Sequence, residues 1–173
     1  MSEALRRELP EFEFPEGDER FITGPTGMAN NCTEEERETI RFMYSQFESS
    51  CGSVLEGRMG VGICIIARIL GCDPNNIRQF VCPQHPVGWC KLDFLLKPFS
   101  KFPESCFAIE CDGEKWHMDK AKDQRRDAWV LGQGIKKIYR YAGQQIYGDA
   151  SWCVLDALTD FCGDNLRKEG LFK

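Results

Sequence analysis

A chain of 173 residues with 42% hydrophobic residues and four Trp has the size and composition of one folded domain, which excludes intrinsic disorder. Its longest apolar run, Val61 to Ala67, is far too short to cross a bilayer, and the opening MSEALRRELPEFEF has neither the apolar stretch nor the cleavage site of a secretory signal. The expected setting is therefore intracellular: cytoplasmic, or nuclear in a eukaryotic host, with no membrane partner and with ten cysteines serving as small core residues rather than disulfides. A net charge of −5 is low for a nucleic-acid-binding protein, but it is spread unevenly. Residues 1–31 hold seven acids against three bases, whereas residues 114–140 hold eight bases against four acids. A basic window of that kind suits a phosphate backbone, and a solvated helix face has much the same mixture.

In chain order, residues 1–31 are rich in Pro and Gly without a sustained period and read as an acidic, irregular lead-in. Its acids are expected to lie over the basic 114–140 face as an internal mimic of DNA. Residues 32–173 read as one domain. Thr33-x-x-Glu36 is a capping box, and Ile40, Met43, Tyr44 and Phe47 follow it as an apolar helical stripe. Glu36 is read as the capping acid, with a distal metal ligand as the alternative. Gly60 to Leu70 reads as a buried helix ending at Gly71. Ile77–Val81 and Trp89–Leu96 read as strands on either side of a Pro-rich connection. Asp119 is the expected cap of a helix running to about Leu131 with apolar positions at Ala121, Ala128, Trp129 and Leu131. Ile135–Tyr141 reads as a strand. Asp149 or Ser151 is expected to cap a last helix whose core face is Trp152, Val154, Leu155, Leu158 and Phe161. The order is helix, helix, three strands, helix, strand, helix.

The chemistry concentrates between Lys91 and His117. Asp93 interrupts the apolar run Leu92–Leu96, and Glu110 and Asp112 end the run that starts at Cys106. An antiparallel pair joined by a turn over 100–105 would set Asp93 beside Glu110. Two converging carboxylates raise each other's pKa unless a cation lies between them, and a hard divalent ion such as Mg²⁺ takes such oxygen ligands. The competing reading is a hairpin with two exposed acids and an Asp112-Gly113 turn. Cys82-x-x-His85 with Cys90, and Cys72 upstream, has zinc-like chemistry. The spacing is poor, and structural zinc is not expected.

The ordered set Gln84-x-Pro86-Val87-Gly88, Lys91-Leu92-Asp93-Phe94, Ala108 to Gly113, Trp116-His117, Asp123-x-x-Arg126, Gly134 and Ile138-Tyr139-Arg140 resembles the small domains related to very-short-patch-repair endonucleases, within the PD-(D/E)xK nuclease superfamily. The resemblance covers roughly 77–160. It implies an α/β (α+β) fold in which helices flank a mixed, restriction-endonuclease-like central sheet. The implied activity is Mg²⁺-dependent endonuclease or nickase chemistry on DNA, with Mn²⁺ able to substitute and RNA the rarer substrate. A nuclease-fold binding protein without activity is the alternative, and nothing in the sequence speaks to oligomeric state. Residue by residue, the resemblance makes Asp93 and Glu110 the metal-binding acids, with Asp112 and Glu36 as further ligands. Asp112 stands where many relatives keep a catalytic lysine, so Lys115 or Lys120 would supply that charge and His117 would act as the general base. Lys120, Arg125, Arg126, Arg140 and Gln84 are the implied nucleic-acid contacts. Asp123, Arg126 and Arg140 serve equally well as structural ion pairs.

Overall fold

Thr33 starts the first helix as its sequence requires. Its hydroxyl accepts from the Glu36 N–H at 3.3 Å while the Glu36 carboxylate accepts from the Thr33 N–H at 2.8 Å, closing a reciprocal capping box at the head of α1 (Glu34–Ser45). The computed structural model describes residues 32–98, 105–112 and 120–163, with backbone only at 120 and 121. The lead-in 1–31 and Asp119 lie outside the described residues, as does the turn after β2. Beyond α1 come α2 (Val54–Ile69), the single-turn α3 (Ile77–Phe80), β1 (Val81–Val87), β2 (Cys90–Leu96), β3 (Phe107–Asp112), α4 (Lys120–Gly132), β4 (Ile138–Ala142) and α5 (Gly143–Cys162).

The fold is α+β. The four strands form one mixed sheet in the order β1-β2-β3-β4, with the first three antiparallel and β4 parallel to β3. A parallel pair needs a crossover, and α4 provides it. One face of the sheet carries Val81, Phe94, Leu96, Phe107, Ile109 and Tyr141, packed against the apolar faces of α1, α2 and α5. Helix α2 is apolar nearly all round because it is enclosed by its neighbours. A Cβ on Gly62 would stand 2.7 Å from the Ala150 backbone of α5, so only glycine permits that approach. The other face is thinner: Val87, Leu92, Leu95, Cys106, Ala108 and Ile135 lie beneath α4, which contributes Val130.

Several expectations are corrected. Ile77–Phe80 is helical rather than extended, because Asp73 accepts from the Asn75 N–H at 3.0 Å and Pro74 opens a 3₁₀ turn (Pro74–Asn76) that runs straight into it. The first strand lies instead in the Pro-rich stretch. It is an edge strand, where Pro83 and Pro86 can lack an N–H without breaking a ladder. Helix α2 begins at Val54, six residues before Gly60, and β4 begins at Ile138 rather than Ile135. In α4, Ala128, Trp129 and Leu131 are exposed and Val130 is the buried position. In α5, Trp152 is exposed because it lies about 200° around the helix from Val154, which with Ala157, Leu158 and Cys162 forms the buried face. Asp149 does cap the main part of that helix, accepting from the Ser151 N–H at 2.9 Å at a kink. No helix among the described residues is long and apolar enough to cross a membrane.

One irregularity positions the site. The β1–β2 register runs Val81↔Leu96, Cys82↔Leu95, Pro83↔Phe94, then resumes at His85↔Leu92, skipping the level of Gln84 and Asp93. Strict alternation would put Leu92 and Leu95 on opposite faces, yet both pack beneath α4. Both strands therefore turn over at this level. Gln84 takes a positive φ of 48°, the one non-glycine among the described residues to do so, and Asp93 is freed from the ladder.

Candidate functional site

The β2–β3 ladder descends from Leu96↔Phe107 to Phe94↔Ile109, and the next step of the same register sets Asp93 opposite Glu110. The ladder stops there. Instead, an Asp93 carboxylate oxygen accepts from the Cys111 N–H at 2.7 Å, so a side chain takes a donor that a continued sheet would have used. Glu110 is only 6% exposed. Both of its oxygens accept from Nη2 of Arg126 at 2.9 Å, and the same nitrogen donates to the Lys91 carbonyl at 2.9 Å. Behind this pair, Arg140, which is opposite Glu110 on β4, donates to both oxygens of Asp127 at 2.5 and 2.7 Å, and its Nε lies 3.9 Å from Asp112.

Burial pushes the Glu110 carboxyl up to about 7, and the Asp93 charge pushes the same way against the pull of Arg126. Asp93 is raised as well, first by burial. The Cys111 N–H opposes that shift, and Glu56 adds to it. Burial works against the Arg126 charge, but Glu110 more than restores it and holds the guanidinium above its ordinary value. This is a cluster of negative charge that Arg126 and, less strongly, Arg140 only partly compensate.

Glu56 is a site residue that the sequence pattern by itself does not single out. It sits in the first turn of α2. There its carboxylate accepts from the Gly52 N–H at 2.8 Å, from the Ser53 hydroxyl at 3.1 Å and from the Gln84 amide at 2.8 Å. Ser53 in turn caps the helix through the Glu56 N–H at 3.2 Å. Its charge reaches both Asp93 and Cys111. The available signal is Ser53-x-x-Glu56, the same capping pattern that marks Thr33 and Glu36.

The structure thus gathers Asp93, Glu110, Arg126 and Gln84, with Asp112 and Arg140 alongside. It does not bring Glu36 to them. Glu36 pairs with Arg68 at 2.9 Å, at the opposite end of α2 from Glu56. Arg125 is exposed on α4. His117 and Lys115 lie outside the described residues, and so does the side chain of Lys120. Of the zinc-like set, Cys82 donates to the Arg78 carbonyl and Cys90 to the Val87 carbonyl, while Cys72 donates to the Asp73 carbonyl. His85 is held below its ordinary pKa by burial and by Lys97.

Among the described residues, no three His, Cys, Asp or Glu side chains are grouped to hold a metal ion. The donors at the open end of β2 and β3 are nevertheless all oxygen: two carboxylates and the Lys91 carbonyl. That fits Mg²⁺, which typically uses one or two carboxylates and keeps several waters. No protein-family model, curated protein or solved structure matches the chain.

Proposed function

We propose that this protein is a metal-dependent endonuclease or nickase that hydrolyses phosphodiester bonds in DNA, with Asp93 and Glu110 as the acids that hold Mg²⁺ or Mn²⁺. The observation that carries the proposal is the pair of carboxylates, Glu110 buried and Asp93 partly so, set opposite each other where the ladder opens, each raised in pKa, a state that a bound divalent cation would relieve. The bound metal would polarise the scissile phosphate and lower the pKa of a water. Within the chain, Gln84 steadies Glu56 against the acid pair, while Arg126 holds Glu110 and Arg140 holds Asp127 beside Asp112. The resemblance assigns proton transfer to His117, five residues beyond β3, and Lys115 or Lys120 would stabilise charge in place of the missing family lysine. Lys120 and Arg125, at the head and on the exposed surface of α4, would track the backbone of DNA or, less readily, RNA. Such an enzyme would work in the cytoplasm, or in the nucleus of a eukaryotic host.

One observation favours a second reading, a nuclease-fold binding protein without activity: Glu110 already has a guanidinium on both of its oxygens. Cleavage of supercoiled plasmid and of single-stranded DNA with Mg²⁺, Mn²⁺ or EDTA separates the two. The nuclease reading expects cutting that needs metal and is abolished in Asp93→Ala and Glu110→Ala while circular dichroism stays unchanged. Activity retained in either variant sinks the site assignment, and no cutting by the parent protein moves the conclusion to the binding reading.

A further inference from the structure

We infer that Arg126 is an internal counter-cation that shares its place with the divalent ion, so that metal binding and the Arg126–Glu110 pair exclude each other. This rests on the nuclease reading above. A single nitrogen, Nη2 of Arg126, stands 2.9 Å from three oxygens contributed by two strands: both carboxylate oxygens of Glu110 and the carbonyl of Lys91. These are hard oxygen donors of the kind Mg²⁺ and Mn²⁺ seek, brought to a point by the opening between β2 and β3. An ion coordinated by Glu110 on that side meets the guanidinium both sterically and as a like charge in a part-buried setting. One of the two has to leave.

The fold makes that exchange accessible. Arg126 comes from α4, the helix over the thinner face of the sheet, and its side chain keeps 22% exposure against 8% for Glu110. The acid is fixed in a strand paired on its other edge to β4, so the arginine is the member free to swing. Displaced, it remains beside the site with its planar fork available for a phosphate oxygen. Two expectations follow: metal alone binds more weakly than the carboxylates would allow, and removing the arginine releases that restraint.

The test is titration calorimetry with Mn²⁺ on the full chain without nucleic acid, comparing the parent protein with Arg126→Gln and with Asp93→Asn, each checked by circular dichroism. Exchange predicts about tenfold tighter Mn²⁺ binding in Arg126→Gln, together with a lower melting temperature in EDTA that metal restores. Should Arg126→Gln not fold, Arg126→Lys carries the test. It retains charge but carries it on a compact, strongly hydrated ammonium in place of the guanidinium whose Nη2 meets Glu110 and Lys91, and tighter binding, by a smaller factor, is expected. Equal or weaker binding in the arginine variants, with a parent protein that does bind Mn²⁺ through Asp93, overturns the exchange and leaves the nuclease reading standing. No binding by parent or variants overturns both.

Discussion

At the N-terminus of α2, Glu56 stands among other acids; at its C-terminus, about 18 Å away along the helix, Glu36 stands beside Arg68. Both glutamates occupy the third helical position after a hydroxyl cap, Glu56 after Ser53 and Glu36 after Thr33, and both close back onto the backbone ahead of them. Beyond the caps they part. Glu36 finds a cation, and its pKa is lowered, first by the Thr33 N–H and then with help from Arg68. Glu56 finds the Gln84 amide and adds its charge to Asp93. The same local motif is structural at one end and part of a charge-loaded site at the other. What differs is which sheet residues lie opposite, and the Gln84–Asp93 irregularity decides that.

The largest expected effect breaks or keeps that comparison directly. Glu56→Gln should lower metal-dependent cleavage by about 10- to 100-fold, the range for a group that orients metal ligands from outside. Glu36→Gln should leave cleavage unchanged. Its pair with Arg68 is only partly buried and reached by solvent, so it is worth little, and its removal touches nothing at the site. Equal losses in the two variants would mean that the ends of α2 are not functionally distinct.

The next effect is on stability against pH, and its sign differs between the ends. Glu110 is raised from 4.5 to about 7 in the folded protein, in an environment set by burial, Asp93, Arg126 and Arg140. A carboxyl raised on folding holds more protons in the native state between those values, so its contribution is complete below the unfolded pKa and is lost as pH rises through about 7. In EDTA, urea midpoints should therefore favour about pH 5 over about pH 8 by on the order of 3 kcal/mol from this group, and Glu110→Gln should flatten that slope. Glu36 works the other way. With its pKa lowered on folding, its contribution is present above the ordinary carboxylate range and fades as pH falls through the folded value. Glu36→Gln should thus remove a small loss of stability at acid pH and leave the Glu110 slope intact. A parent protein that gains stability from about pH 5 to about pH 8 would contradict the picture of an under-compensated acid pair.

Much of the fold is legible in the sequence wherever local pattern and packing agree. The first capping box fixes α1, and the apolar runs around Asp93 and Glu110 give both strands and their opposed placement. Asp149 marks the break in α5. Legibility fails where tertiary position overrides propensity. Pro83 and Pro86 argue against a strand unless that strand is at the edge, and nothing local says that β1 is. Ile77–Phe80 is β-like in composition but inherits a helical start from Asp73 and Pro74. Trp129 and Trp152 look like core and are not, because hydrophobicity alone does not say which side of the helix each one takes. The role of Glu56 depends on a residue 28 positions away, Gln84, adopting a left-handed backbone. Arg126 reads in sequence only as a phosphate contact or structural pair, since its hold on both Glu110 and Lys91 joins three elements that are remote along the chain.

The smallest expected effect sharpens the comparison most, because it equalises stability and leaves only position to differ. Thr33→Ala and Ser53→Ala each delete a hydroxyl that caps a helix through the third residue's N–H, at 3.3 and 3.2 Å. Each should cost about 1 kcal/mol in urea denaturation, with the slope against denaturant unchanged. At α1 that is the whole consequence. At α2 the lost hydroxyl also donated to the Glu56 carboxylate at 3.1 Å, so Glu56 keeps Gly52 and Gln84 but loses a restraint on its direction. Ser53→Ala should therefore slow cleavage a few-fold beyond what its stability loss explains, whereas Thr33→Ala should not. If both variants lose stability equally and neither changes cleavage, Glu56 is held well enough by Gly52 and Gln84, and the ladder irregularity rather than the Ser53 hydroxyl sets the geometry of the acids.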